Sequence, residues 1–151
     1  MLGEILMKTG VEIDMIVKDS LSAFKLYEKV FNAKIIEATS YEKGLNEVIF
    51  SMLDARFHML DENKEYGLYA PSKDKPNSMW CNLLVEDIED IFNKSKKEGF
   101  TIIQPLTELK EFGVINAIVS DPYGYHWMLH QIVEEVSFQK RQKIIEKHLK
   151  K

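Results

Sequence analysis

The sequence predicts an α+β fold in which a strand, a helix and three further strands occur twice, followed by one extra helix. Three observations lead there. Apolar periodicity switches from two to about 3.6 and back in each half of the chain, a turn-rich stretch separates the halves, and residues of like type recur at a fixed displacement.

The first strand is read over Val11–Val17, where Glu12, Asp14 and Ile16 alternate with Ile13, Met15 and Val17. A period of two puts both carboxylates on one face. Asp19 or Ser20 can cap the helix that follows, since their side-chain oxygens accept from amides the first turn leaves unpaired. Leu21, Phe24, Tyr27, Val30 and Phe31 then form a stripe at helical spacing that needs a sheet to lie on. Strands are expected over Lys34–Thr39, Asn46–Met52 and Arg56–Leu60, with turns at Lys43-Gly44 and Asp54-Ala55. From Asp61 to Asn77 the density of Asn, Gly, Pro, Ser and Asp marks a connection.

The second copy is read as a strand over Met79–Val85, a cap at Glu86-Asp87 and a helix over Ile88–Glu98, with Gly99 at a left-handed C-terminal position. Strands follow over Phe100–Gln104, Gly113–Ser120 and Tyr125–His130. The repeats thus span about 11–61 and 79–132 of a single domain, and a C-terminal helix of about 134–149 has no counterpart in the first half. A displacement of 68, the offset between Asp19 and Asp87, pairs Val17 with Val85, Phe24 with Phe92, Lys29 with Lys97 and Ile35 with Ile103. The same shift pairs His58 with His126.

Composition narrows the function classes. At 151 residues with 45% hydrophobic and 29% charged side chains, the chain can bury one substantial core. A net charge of -4 without a long basic run argues against nucleic acid, whose binding rests on clustered Lys and Arg. The Lys-rich stretch from Lys140 to Lys151 is broken by Ile144, Ile145, Glu146 and Leu149 and reads as a solvated helix face rather than a membrane or anion surface. The N-terminal segment around Glu4 and Lys8 is too short in apolar residues for a signal sequence, and no spanning segment is seen. One cysteine, Cys81, requires no oxidising compartment, so a cytoplasmic location is expected; as a lone thiol it reads as a small hydrophobe rather than a nucleophile.

Two motifs carry a family resemblance. Ile16-Val17-Lys18-Asp19 leading into Ser22-Ala23-Phe24-Lys25-Leu26-Tyr27-Glu28-Lys29-Val30-Phe31-Asn32-Ala33 resembles the opening strand and "xxxxFYxxVFG" helix of the vicinal oxygen chelate superfamily of glyoxalase, bleomycin-resistance and dioxygenase proteins. Phe112-Gly113 through Ala117-Ile118-Val119 to Asp121-Pro122-Tyr123-Gly124-Tyr125-His126-Trp127 resembles its "DPxGxxW" hairpin, especially in the PhnB-like branch. Asp, Pro and Gly at the first, second and fourth positions suit a type I turn. The resemblance covers about Val11 to Ile132. It implies a glyoxalase-like fold of two curled mixed sheets around a cavity that holds a small molecule and, in many members, a divalent metal. The halves pair within one chain or across a dimer, and a homodimer is expected here.

The resemblance also implies where metal ligands would lie: on the first and last strands of each unit. Carried over by position, the first-strand sites fall on Glu12 and Trp80, seven residues before Asp19 and Asp87, and the last-strand sites on Met128 and, through the displacement of 68, Leu60. Trp carries only an N–H donor, and neither Met nor Leu is a hard ligand. The resemblance therefore implies a pocket made of Glu12, Asp14, His58, Leu60, Trp80, Asn82, His126 and Met128 without the usual metal or another cofactor. An alternative is a metal-dependent lyase, isomerase or dioxygenase with a displaced ligand set drawn from Glu12, Asp14, His58 and His126. Strand parity allows it, because His58 shares a face with Leu60, and His126 and His130 share one with Met128. Equally open at this level are an exposed polar face at Glu12 and Asp14, structural roles for the histidines, and core or wall roles for Trp80, Trp127 and Met128. A homodimer with a collapsed cavity is a third reading.

Overall fold

The alternation after Val11 becomes strand β1 (Ile13–Val17), and Asp19 caps helix α1 (Ser20–Phe31) by accepting from the Ser22 amide at 3.0 Å. Asn32 ends the helix in the left-handed conformation, φ 57°, one of the few non-glycine residues that tolerates it. Three antiparallel strands follow: β2 (Lys34–Ala38), β3 (Glu47–Met52) and β4 (Ala55–Asp61). The sheet order is β1-β4-β3-β2, with β1 parallel to β4. A computed structural model describes residues 8–150; the segment around Glu4 and Lys151 lie outside the described residues.

The second unit begins at Ser78 and repeats the plan. Its elements are β5 (Cys81–Leu84), α2 (Ile88–Lys97), β6 (Thr101–Leu109), β7 (Val114–Ser120) and β8 (His126–Ile132), in sheet order β5-β8-β7-β6. Helix α3 (Phe138–Leu149) follows. The α+β architecture with two four-stranded mixed sheets and a C-terminal helix is the one the sequence predicts. No helix among the described residues is long and apolar enough to cross a membrane.

Each unit has its own core between its helix and one sheet face. In the first, Phe24 and Tyr27 of α1 lie 5.7 and 6.2 Å from the Phe50 ring, which stacks on Phe57 at 5.1 Å. Met15, Val17, Val48 and Met59 complete that buried layer. In the second, Ile88 and Phe92 of α2 are buried along with Leu83, Ala117, Val119, Trp127 and Leu129. Strand parity then sends Glu12, Asp14, His58 and Leu60, and Asn82, Met128 and His130, to the opposite faces of the two sheets.

Some boundaries differ from the sequence expectation for identifiable reasons. The β3–β4 turn is Leu53-Asp54, both at positive φ (47° and 64°), the conformation of a two-residue hairpin, and not Asp54-Ala55. Strand β5 begins at Cys81, so Met79 and Trp80 precede it. Strand β6 runs past Pro105 to Leu109 because it is an edge strand, where the missing amide is tolerated, and its register shifts there. Helix α3 starts four residues later than expected, since Val133 and Glu134 donate their amides to the Gly113 carbonyl at 2.7 and 3.0 Å and Ser137 supplies the cap.

The Asp121 hairpin shows why its residue types are needed. One carboxylate oxygen accepts from the Tyr123 and Tyr125 amides at 2.8 and 3.0 Å, and the other from the indole N–H of buried Trp127 at 2.9 Å. Asp121→Asn should cost about 2 kcal/mol, because an amide cannot accept on both sides and leaves a buried donor unpaired. The measurement is the urea midpoint at unchanged slope; an unchanged midpoint would refute this role.

Candidate functional site

Parallel pairing of β1 with β4 sets Asp14 directly beside His58, and Glu12 lies two residues earlier on the same face. Arg56, two residues before His58, shares that face as well, and Glu47 approaches from β3. The imidazole is the hub. Its Nδ1 lies 3.4 Å from Glu12 Oε1 and 3.5 Å from Asp14 Oδ1, while Nε2 is 3.3 Å from Glu47 Oε2. The Arg56 guanidinium is ion-paired with the other Glu12 oxygen. His58 is 17% exposed and Ile49, its register partner, is buried, so the imidazole is partly shielded from water, whereas Asp14 at 58% and Glu47 at 46% stand open to it.

The electrostatics of this group are one-sided. Three carboxylates face one guanidinium, so with a neutral imidazole the cluster carries a net charge of -2. If Nε2–H donates to Glu47, the Nδ1 lone pair points at two carboxylates, an arrangement that a cation between them relieves. One donor atom each from Glu12, Asp14 and His58 fall within 4.8 Å of one another.

Strand register changes the match between units. The displacement of 68 holds for Asp14 and Asn82 and for the caps Asp19 and Asp87, but Asp14 pairs with His58 whereas Asn82 pairs with Met128. The counterpart of Met128 is therefore His58, not Leu60, and His126 answers to Arg56, not His58. The displacement is 69 by β3 and β7, and the turn after β7, one residue longer than Leu53-Asp54, takes the last strands to 70. The helix ends confirm it. Asp61 accepts from the Ser20 amide at 2.7 Å, and Gln131, 70 residues on, accepts from the Ile88 amide at 2.9 Å.

Of the expected pocket residues, the first unit brings Glu12, Asp14 and His58 together, with half-buried Leu60 next along β4. In the second unit Trp80 is 51% exposed just ahead of β5 and its ring lies 5.9 Å from His126. Asn82 is exposed and Met128 half-buried beside it. Trp127 is core, as one of its readings had it. Cys81 is half-buried, and burial pushes its thiol pKa up, away from nucleophilic character. Sequence reasoning missed Glu47 and Arg56. Parity with His58 could have found Arg56, and placing the hairpin turn at Leu53-Asp54 would have aligned Glu47 with Leu60.

The family model of the Glyoxalase/Bleomycin resistance protein/Dioxygenase superfamily matches residues 11–129. The chain belongs to this superfamily. Among solved structures of similar fold are the fosfomycin resistance protein FosX of Listeria monocytogenes and TioX of Micromonospora sp. ML1. A FosX structure with Mn(II) and sulfate bound has a TM-score of 0.63 and 17% identity, covering 92% of this chain and 99% of that one. TioX has a TM-score of 0.62 and 15% identity, covering 85% and 100%. Uncharacterized proteins of Mycobacterium bovis and Mycobacterium tuberculosis are each 26% identical over 129 residues. That alignment takes in 82% of this chain and 83% or 74% of theirs. These likenesses support the superfamily fold; the site must be argued from its residues.

The two units offer unequal donor sets. The first unit offers two carboxylates and an imidazole, a donor set suited to Mn, Fe or Zn as divalent ions, with Glu47 placed to orient the imidazole from behind. The second offers Trp80, Asn82 and Met128, none of them a strong ligand. The first-unit residues fit a divalent cation.

Proposed function

We propose that this superfamily member binds an oxygen-bearing small molecule at the Glu12, Asp14 and His58 face with the help of a divalent cation. The observation that carries the reading is the position of His58, with one ring nitrogen toward Glu47 and the other toward two carboxylates. Bound there, the cation would polarise a carbonyl or enolate oxygen of the ligand. Glu47 would hold the imidazole tautomer, and Arg56 would fix Glu12 through one oxygen while the other faces His58 Nδ1. Elemental analysis of protein purified without affinity resin tests this: near-stoichiometric Mn, Fe or Zn is expected, and none after supplementation of the growth medium would refute it.

A second reading, metal-free binding in a PhnB-like protein, draws support from Arg56, which already neutralises Glu12, and from Trp80 and Met128 in the second unit. It expects ligand retention that chelator does not change. Loss of ligand with EDTA would exclude it.

A further inference from the structure

Helix α3 rests on its own unit along one edge. Half-buried Ile144 lies beside Glu111 of the short helical turn Lys110–Phe112, and His148 Nε2 is 3.7 Å from the Glu111 carboxylate. No residue of α3 is buried, and Phe138, Ile145 and Leu149 are exposed. At 3.6 residues per turn these three fall on one line along the helix, about 120° round from Ile144. The side of α3 that carries its apolar stripe is therefore not the side that packs on its own unit.

The stripe has the spacing of a helix-pairing seam. Phe138, Gln142, Ile145 and Leu149 are four, three and four residues apart, the alternation with which one helix packs along another. Lys140, Lys143, Lys147 and Lys150 all fall on the opposite half of the helix, clear of the seam. Arg141 flanks the seam on one side and Glu146 on the other. Five residues apart, they are too far round the helix to pair with each other, and neither side chain has a partner among the described residues. In two parallel helices that share this seam, Arg141 of one copy meets Glu146 of the other, and two-fold symmetry makes the contact twice. Antiparallel helices would instead set Arg141 against His148, two groups of like tendency. The flanking charges thus fit a second copy of the same helix in one orientation.

A helix of 12 residues is marginal in water by itself. Here the fold presents it already formed. The Gly113 carbonyl accepts from the Val133 and Glu134 amides, and a Cβ at Gly113, φ 66°, would stand 2.1 Å from the Glu134 carbonyl oxygen, so only glycine allows this close approach. Ser137 then caps α3 by accepting from the Lys140 amide at 3.2 Å. Pairing does not have to order the helix, which lowers its entropic cost. This segment lies beyond residues 11–129, the part of the chain that matches the superfamily.

We infer that the exposed face of α3 is an interaction surface for a second copy of this chain, packed as a parallel two-fold helix pair with Arg141 of each copy against Glu146 of the other. The surface uses none of the cation-site residues, so it stands apart from the proposed function. Sedimentation velocity of the full chain over a range of concentrations should show a monomer–dimer equilibrium. Ile145→Lys sets two like charges in the seam and should weaken the dimer at least about 100-fold, with an unchanged thermal midpoint because the position is exposed. Arg141→Glu and Glu146→Arg should each weaken it by about fivefold, since each turns two attractive pairs repulsive, and the double reversal should restore the wild-type constant. Gln142→Cys, which meets its own copy on the two-fold axis, should give a disulfide-linked dimer on mild oxidation. A chain that stays monomeric at about 1 mM, a dimer indifferent to Ile145→Lys, a double reversal that remains weak, or no cross-link at position 142 would each overturn the inference. Monomers that bind vesicles of phosphatidylcholine and phosphatidylglycerol, and lose that binding with Ile145→Lys, would assign the face to a membrane and overturn it as well.

Discussion

Asp61→Ala should destabilise the protein by about 4 kcal/mol, near the upper end for a single substitution, because three backbone donors lose one buried acceptor. The carboxylate is 2% exposed and accepts from Ser20 at 2.7 Å, Gly44 at 2.8 Å and Asn46 at 3.0 Å. It thereby ties the start of α1, the β2–β3 connection and the end of β4 together. Burial alone would raise its pKa, but the amides of Ser20, Gly44 and Asn46 outweigh it and hold the carboxyl below its ordinary value of 3.8. The folded state thus binds this proton less readily than the unfolded chain. The contribution is fully present above pH 3.8 and is lost as pH falls below it, through the folded value. Urea unfolding of wild type and Asp61→Ala at pH 7 and in that acid window should show the gap narrowing in acid. A gap that is absent at pH 7, or that widens in acid, would contradict this account.

His58→Phe should weaken divalent-cation binding about 100-fold, the upper range for losing a coordinating or orienting group, without a comparable change in stability. Phe fills similar space on the half-buried face beside Ile49 but donates nothing. Glu47→Gln should weaken it less, by about tenfold, since Glu47 reaches the site only through Nε2. Met128→Leu, in the second unit, should change nothing. Equal effects of all three substitutions would point to a general structural loss; no effect of any would remove the cation from the site. Isothermal titration with Mn(II) separates these outcomes.

What could be read in the sequence was what depends on neighbours along the chain. The Asp19 and Asp87 caps, the α1 stripe of Phe24, Tyr27 and Phe31, and the Asp121 hairpin all use contacts within a few residues, and all stand where expected. The shared face of Glu12 and Asp14 likewise follows from a period of two. Cross-strand register is different, because it is set by turn lengths. Placing the β3–β4 hairpin one residue late hid Glu47 from His58, and the match drifts from 68 at the first strands to 69 at β3 and β7 and, through the longer turn after β7, to 70 at the last strands, which concealed that His58, not Leu60, answers to Met128. Asp61 carried no local signal, as its partners lie 15 to 41 residues away.

In the proposed function, Glu12, Asp14 and His58 form one cation site. Its most direct test is electron paramagnetic resonance of Mn(II) added to EDTA-stripped protein. The six-line signal of the free ion should disappear up to one equivalent per chain, with a dissociation constant of about 10 μM or lower, about 7 kcal/mol of binding. A free-ion signal that grows from the first addition as it does in buffer would contradict it.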